Sequence, residues 1–282
     1  MFGAALDYRL LRPFAHSRNR ATEAELDARF LHAAPDTAAA RLKLAKLVSR
    51  FDGRLPREPQ LRYLDMGCGT GELTLAFHQL TGAAVTGVDA LPRNIERARL
   101  LAHAAGAGNA LRFACADLAS WTPREPFDVL LSFDCFEHID APREHLSRMR
   151  DFVGPGGIAA LAFGPLFHSP FGDHMWDFFR LQLPWRGVLF SEAALLRLRR
   201  ECFRPTDPAR RYQEVAGGLN LMRYSEFLRY ARAAGWQFDH LEANVFSGRG
   251  AALRRVAAPF LRLPGARDFF AHNVYAVLRR EN

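Results

Sequence analysis

The chain has 282 residues, 49% hydrophobic and 24% charged, which excludes both an intrinsically disordered chain and a membrane-spanning bundle. Its four cysteines are far apart and form no CxxC pair, which excludes a disulfide-rich scaffold and a zinc ribbon and suits a reducing cytoplasm. The net charge of +8 suggests nucleic-acid binding. However, the basic residues lie mainly towards the two ends, and residues 61–163 are net acidic.

Residues 1–60 are predicted to be a mainly helical N-terminal segment. Apolar residues recur at helical spacing within residues 21–51, and Pro35-Asp36 divides this stretch into two helices. Asp52-Gly53 and the prolines that follow end the segment. The early charges Asp7 and Arg9 do not fit a signal peptide, so we predict a cytoplasmic protein.

From Leu61 onwards, short apolar runs alternate with helical stretches. This alternation predicts a parallel sheet covered by helices on both faces, a doubly wound α/β fold. The predicted strands are residues 61–66, 84–88, 111–115, 127–133 and 158–163, and the predicted helices are residues 72–80, 92–105 and 141–152.

Residues 164–222 interrupt this rhythm with five prolines, many aromatic residues and one helical piece at 191–202. A helix at 223–234 and strands at 238–246 and 272–279 then return the chain to the sheet, which makes seven strands. We therefore predict a sheet domain formed by residues 61–163 and 223–282. Residues 164–222 are predicted to be an insertion after strand five that forms a lid and substrate pocket.

The sharpest motif is Asp65-Met66-Gly67-Cys68-Gly69-Thr70-Gly71, between the first strand and a helix. Glycines permit positive φ and close approach of a ligand, and the helix that follows offers free N–H groups. Acidic residues close the next two strands, at Asp89 and Asp117, and a carboxylate at the second strand suits a ribose. The run is GxGxG rather than GxGxxG, which argues against a nicotinamide enzyme, and the absence of GK[ST] excludes a P-loop.

Together with Phe127–Phe133, these motifs resemble the class I S-adenosylmethionine-dependent methyltransferases. The resemblance covers residues 61–163 and 223–279. It implies a Rossmann-like sheet with a closing antiparallel strand at 272–279, and S-adenosylmethionine as cofactor.

The resemblance also implies a role for each motif residue. A glycine-loop group lines the methionine part of the cofactor, with Asp65 near its amino group, and Asp89 holds the ribose hydroxyls. Asp117 accepts from the adenine amino group, and Phe133 lies beneath the methyl-transfer site. The loop group is Gly67, Cys68, Gly69 and Gly71; Ala90 and Leu91 flank the adenine, and Leu118 donates to it from its backbone.

The residues after the fourth strand argue against a nucleic-acid substrate. Ser132-Phe133-Asp134-Cys135 lacks the Pro-Pro motif of nucleobase amino methyltransferases, and Cys135 is not preceded by the proline of cytosine-C5 enzymes. We therefore predict SN2 methyl transfer to an oxygen or nitrogen of a small molecule in specialised metabolism. The alternatives are a quinone or lipid-type substrate at a membrane surface, and a cofactor-binding module without activity.

Glu137-His138 resembles the Glu-His pair of small-molecule and quinone-pathway members, and His138 is the first candidate for a general base. The competing interpretation is that both residues cap the next helix. Asp134, Glu137 and His138 also form a D-x-x-E-H cluster that would suit a divalent ion, although one histidine among hard ligands is weakly diagnostic, and we predict no metal.

The insertion supplies further candidates. His174, beside Asp173, is the second candidate base, and the aromatic density predicts a largely apolar pocket. The competing interpretation is that these aromatics only cover the core. The predicted substrate-contacting residues are His168, Trp176, Asn220, Arg223 and Tyr224.

Residues 249–270 alternate arginines with apolar side chains, as a membrane-surface helix does. Because Pro259 and Pro264 break the stretch, we favour a surface helix between the last two strands. The predicted partners are a small molecule and no nucleic acid, with a homodimer left open.

Overall fold

The computed structural model describes residues 3–215, 218–245, 255 and 257–281. Seven strands form one sheet in the order β3-β2-β1-β4-β5-β7-β6. Strands β1 to β5 pair in parallel, and β7 is antiparallel to both β5 and β6. The strands are β1 (Tyr63–Met66), β2 (Val85–Asp89), β3 (Leu111–Cys115), β4 (Phe127–Phe133), β5 (Val153–Phe163), β6 (Trp236–Ala243) and β7 (Val274–Arg280).

Ten α-helices lie within the described residues, joined by short 3₁₀ turns and one π turn. They are α1 (Ala4–Leu11), α2 (Glu23–His32), α3 (Thr37–Arg50), α4 (Glu72–Thr81), α5 (Pro92–Ala104), α6 (Pro142–Phe152), α7 (Arg186–Leu189), α8 (Glu192–Leu198), α9 (Tyr224–Ala233) and α10 (Arg267–Phe270). Among these, none combines the length and apolarity needed to cross a membrane.

The predicted doubly wound α/β sheet is confirmed. Strands β1 to β5 are apolar because helices cover both faces of the sheet. One face packs against α6 and α9 through Leu146, Met149 and Phe227, and the other packs against α3 and α4 through Leu44 and Phe77. The strand order reverses between β1 and β4, and such a switch point opens a crevice at the carboxyl ends of the strands.

A third apolar cluster joins the start of the chain to the insertion. Leu11 packs with Phe178 and Phe203. The backbone N–H of His16 donates to Phe178 O at 3.1 Å, and that of Arg180 donates to Phe14 O at 2.8 Å. Helix α1 therefore packs together with the insertion.

Helix α2 bridges the insertion and the sheet domain. It begins at the capping box of Thr22 and Glu25, and the Glu23 backbone N–H donates to Thr206 Oγ1 of the insertion at 3.1 Å. At its other end, Arg97 of α5 donates to Ala33 O at 2.6 Å, and Arg93 of α5 forms an ion pair with Asp27. These contacts hold α2 across the crevice side of the molecule.

Of the basic stretch 249–270, residues 249–254 and 256 lie outside the described residues. The described remainder includes a 3₁₀ turn at Ala258–Arg262, which has the predicted breaker Pro259 as its second residue, and the short helix α10. The predicted strand 238–246 begins two residues earlier, at Trp236, and Phe246 is outside the described residues.

Candidate active site

The glycine loop between β1 and α4 takes a conformation that needs its glycines. Gly67, Gly69 and Gly71 have φ of 74°, 54° and 84°. A Cβ on Gly67 would lie 2.1 Å from the Cys135 sulfur, whereas a Cβ on Gly69 would meet nothing within 4 Å. Gly67 is therefore required for close packing of two crevice loops, and the backbone at Gly69 faces open space, as a ligand cradle requires.

Asp89 connects this loop to the start of α5. Its Oδ2 accepts from the Gly69 backbone N–H at 3.0 Å. Its Oδ1 accepts from the Leu91 backbone N–H at 2.9 Å and from Asn94 Nδ2 at 3.0 Å. A carboxylate has about four acceptor sites. Asp89 therefore shapes the loop while keeping capacity for a hydroxyl donor.

Asp65 is a buried carboxyl at the end of β1. Thr74 Oγ1 donates to its Oδ2 at 2.6 Å. Burial, together with the negative charge of Asp89, raises the pKa of Asp65 to about 6. A ligand ammonium beside this carboxyl would favour its ionised form, because an opposite charge offsets the cost of burial.

The remaining predicted cofactor residues occupy different environments. Ala90, Leu91 and Asp117 are exposed at the crevice end of the sheet, and Asp117 Oδ1 accepts from the Ala119 backbone N–H at 2.8 Å. Leu118 and Cys68 are buried.

Phe133, at the carboxyl end of β4, is buried. Its ring stacks against Phe51, with centroids 5.9 Å apart, in the core beneath α3. Its position beneath the methyl-transfer site stays a prediction.

The loop after β4 carries the Glu-His pair. Asp134 has a φ of 50° and forms an ion pair with Lys43 of α3. His138 is exposed, and its Nδ1 lies 2.8 Å from Gly218 O. Asn220 anchors the loop, because its Nδ2 donates to Phe136 O at 2.8 Å and its backbone N–H donates to Glu137 O at 2.9 Å. Across the described chain, no three His, Cys, Asp or Glu residues form a group that could hold a metal ion.

A cleft of about 570 Å³ lies between this loop, α2 and the insertion. The His138 and His174 rings both line it, edge to face, with centroids 5.8 Å apart. His174 Nε2 lies 3.2 Å from Pro165 O, and burial lowers its pKa to about 4. The other lining residues are Asn19, Glu23, Leu26, Arg29, Asp173, Met175, Asp177, Phe178, Leu196, Arg199, Arg204, Tyr212, Val215 and Leu219.

Three predicted substrate residues lie elsewhere. The His168 ring is 6.2 Å from Phe269 of α10, and Tyr224 is a core residue beneath the Arg267 guanidinium. Arg223 is exposed at the start of α9. None of the three lines the cleft, and their contact with a substrate stays a prediction. The Trp176 side chain lies outside the described residues.

Sequence reasoning missed the cleft residues of α2 and the pair Asp173 and Arg186 with their neighbour Tyr212. The pair is buried, with Arg186 Nε donating to Asp173 Oδ2 at 2.7 Å and Nη2 donating to Oδ1 at 3.0 Å. A run of aromatic residues separates the two in sequence, so no short motif marks them. The aspartate beside His174 was the only local signal.

Glu137 is buried, with 4% of its surface exposed, and its Oε2 has no hydrogen-bond partner among the described residues. Burial raises its pKa to about 8. The unfolded chain releases this proton near pH 4.5 and the folded chain retains it to about pH 8, so Glu137 lowers stability as pH rises between those values. We expect Glu137→Gln to be more stable than the wild type by about 3–5 kcal/mol at pH 8.5, with a much smaller difference at pH 5. Urea unfolding at both pH values measures this.

Glu144→Gln, an exposed change on α6, is the matched control and should show no pH-dependent difference. Only the part of the Glu137→Gln effect that changes with pH counts, because packing of the amide acts equally at both values. Equal differences at pH 5 and pH 8.5 would show that Glu137 is ionised in the folded protein.

Known proteins resemble this chain over different parts of its length. A family model described as a methyltransferase domain matches residues 64–157. Trans-aconitate 2-methyltransferase of Streptomyces coelicolor is 32% identical over 241 residues, which are 80% of this chain and 70% of that protein. Ubiquinone biosynthesis O-methyltransferase of Cereibacter sphaeroides is 43% identical over 99 residues, but these are 35% of this chain and 39% of that protein.

Solved structures share the fold at lower identity. The [4+2]-cyclase SpnF aligns with a TM-score of 0.54 and 18% identity, over 89% of this chain and 84% of that one. Geranyl diphosphate C-methyltransferase from Streptomyces coelicolor aligns with a TM-score of 0.55 and 15% identity, over 85% and 81%. A cyclase among these neighbours shows that the fold alone does not define the reaction.

The loop and carboxylates described above fit S-adenosylmethionine, since they offer open backbone at Gly69, acceptor capacity at Asp89 and a buried anion at Asp65. With the relative that matches over most of both chains, they establish the enzyme class and its cofactor. The chain belongs to the class I S-adenosylmethionine-dependent methyltransferases.

Proposed function

We propose that this enzyme methylates an oxygen or nitrogen of a small molecule that enters the cleft between the β4 loop and the lid. The observation that carries the proposal is the cleft itself, which is lined by His138 of the loop after β4 and by His174 of the insertion. Its volume of about 570 Å³ falls within the range of ordinary ligand pockets. We infer that α1, α2 and the insertion form a lid over this cleft. A covered cleft of this size favours a small molecule as its occupant.

S-adenosylmethionine, when bound, supplies an electrophilic methyl group on a sulfonium. The residues of this chain position it, and we assign the ribose hydroxyls to Asp89 and the amino group to Asp65. Positioning of two reactants contributes about 7–11 kcal/mol in favourable cases, so strong catalysis needs few chemical groups.

His138 is the better-placed base of the two histidines. A carbonyl oxygen only accepts, so the 2.8 Å contact with Gly218 O puts the proton of a neutral His138 on Nδ1. Its Nε2 is then the nitrogen with the lone pair. His174 has a pKa of about 4, and its Nε2 is turned towards Pro165 O, which makes it a weak base. We propose that His138 accepts the substrate proton and that His174 shapes the cleft beside it.

The names of the relatives suggest two acceptor chemistries, polycarboxylic acids and phenolic quinone precursors. We propose to test both with methyl-labelled S-adenosylmethionine, a panel of both classes and a metabolite extract. We expect S-adenosylhomocysteine to bind the purified enzyme and the label to enter a low-molecular-mass product. Label in protein or nucleic acid would contradict the small-molecule proposal. Cofactor binding without transfer to any metabolite would favour the non-catalytic module.

A further inference from the structure

The phenol of Tyr212 is a buried polar group in the cleft that the methyltransferase reaction does not yet use. The residue lines the cleft and is only 4% exposed. Its hydroxyl has no hydrogen-bond partner anywhere in the described residues. Leaving a buried hydroxyl unpaired is unfavourable, and proteins usually avoid it unless a ligand or water completes the bond.

The hydroxyl is not needed to hold Tyr212 in place. The backbone N–H of Tyr212 donates to Glu192 Oε1 at 2.6 Å. The ring packs against Phe167, with centroids 4.8 Å apart. Backbone and ring contacts therefore fix the residue, and the hydroxyl is left pointing to no structural partner.

The Tyr212 hydroxyl keeps the proton that it needs to donate a hydrogen bond. Burial, followed by the carboxylates of Asp173 and Glu192, raises the pKa of Tyr212 well above its usual value, so the hydroxyl keeps its proton. Asp173 is committed to its bidentate pair with Arg186. Arg186 Nη1, a second buried donor of this group, also lacks a hydrogen-bond partner among the described residues.

We propose that Tyr212 is a specificity-determining residue whose hydroxyl donates a hydrogen bond to an oxygen acceptor, a carbonyl or carboxylate, of the methyl-accepting molecule. This inference rests on the proposed function, because it assigns the cleft to that molecule. Because Arg186 donates to both oxygens of Asp173, that carboxylate is already paired. The Tyr212 hydroxyl can then donate to the ligand. A substrate without such an oxygen would leave the phenol unpaired and bind more weakly.

The test uses four probes that separate the two acceptor types: trans-aconitate, its trimethyl ester, 3,4-dihydroxybenzoate and its methyl ester. Calorimetry measures their binding to the full chain saturated with S-adenosylhomocysteine. We expect Tyr212→Phe to weaken the preferred probe about ten- to a hundredfold if a carboxylate is recognised, and about two- to tenfold if an ester carbonyl is. Tyr230→Phe, which removes a hydroxyl from α9 outside the cleft, should change neither.

Two further readouts separate this role from a structural one. Because its hydroxyl has no partner, Tyr212→Phe should unfold at the same temperature as the wild type or higher, and its S-adenosylhomocysteine affinity should be unchanged. A lower unfolding temperature would show a structural role and overturn the proposal. So would equal binding of the preferred probe by Tyr212→Phe and the wild type, or no binding of any probe by the wild type. Retained S-adenosylhomocysteine binding in those cases leaves the proposed function standing.

Discussion

Asp89→Ala should bind S-adenosylhomocysteine at least about 100-fold more weakly than the wild type, as measured by calorimetry. The substitution removes the acceptor that we assign to the ribose hydroxyls, and hydrogen bonds to a charged group contribute about 1.5–3 kcal/mol each. It also releases the Gly69 and Leu91 backbone N–H groups, which the carboxylate holds at 3.0 and 2.9 Å. The loss therefore combines a missing contact with a less ordered cradle.

Two further variants serve as controls for this prediction. Asp151→Ala removes an exposed carboxylate at the end of α6 and should bind normally. Asp89→Asn keeps the shape of the side chain and one oxygen acceptor, so it should retain the fold. Its affinity for S-adenosylhomocysteine should lie between that of Asp89→Ala and that of the wild type. Wild-type affinity in Asp89→Ala would show that the carboxylate does not contact the cofactor.

His138→Ala should lower kcat by about 10²- to 10⁴-fold with the methyl acceptor found in the screen, provided that the acceptor atom loses a proton. The S-adenosylhomocysteine affinity should not change, because the imidazole lies in the cleft that we assign to the methyl acceptor. His174→Ala should lower kcat much less, since a group with a pKa of about 4 is a poor base at neutral pH. Single-turnover measurements with saturating cofactor separate this effect from binding.

His145→Ala is the matched control for the loss of an imidazole. Its Nδ1 also lies beside a backbone carbonyl, Ala141 O at 3.0 Å, but the residue is on α6 and does not line the cleft. If His138→Ala and His174→Ala both kept full turnover, catalysis would depend on positioning alone or on another group. A kcat loss in His145→Ala of the same size would identify the effect as structural.

Strands and their helices were predictable because their determinants are local. The limits of β3 and β4 agree with the sequence prediction, and most other limits differ by one or two residues. Strand β5 begins five residues earlier than predicted, because residues 153–157 continue the strand through a glycine-rich stretch that reads as a turn. Helix α1 lies within the segment 1–60 that was predicted to be mainly helical, but its bounds were not predicted, and it packs against the insertion.

The same division holds for the active site. Glycines at Gly67 and Gly69 and an acid at Asp89 are required by backbone conformation and by hydrogen bonding over a few residues, so the motif predicted them from their order along the chain. Contacts between distant segments decide three other features. They direct the Phe133 ring towards Phe51, bury Tyr224 in the core and leave the Tyr212 hydroxyl without a partner among the described residues. Local pattern thus determined the fold class and the glycine loop. The packing of α2 and the insertion onto the sheet domain decided which side chains share the cleft, because burial and hydrogen-bond partners arise only when remote parts of the chain meet.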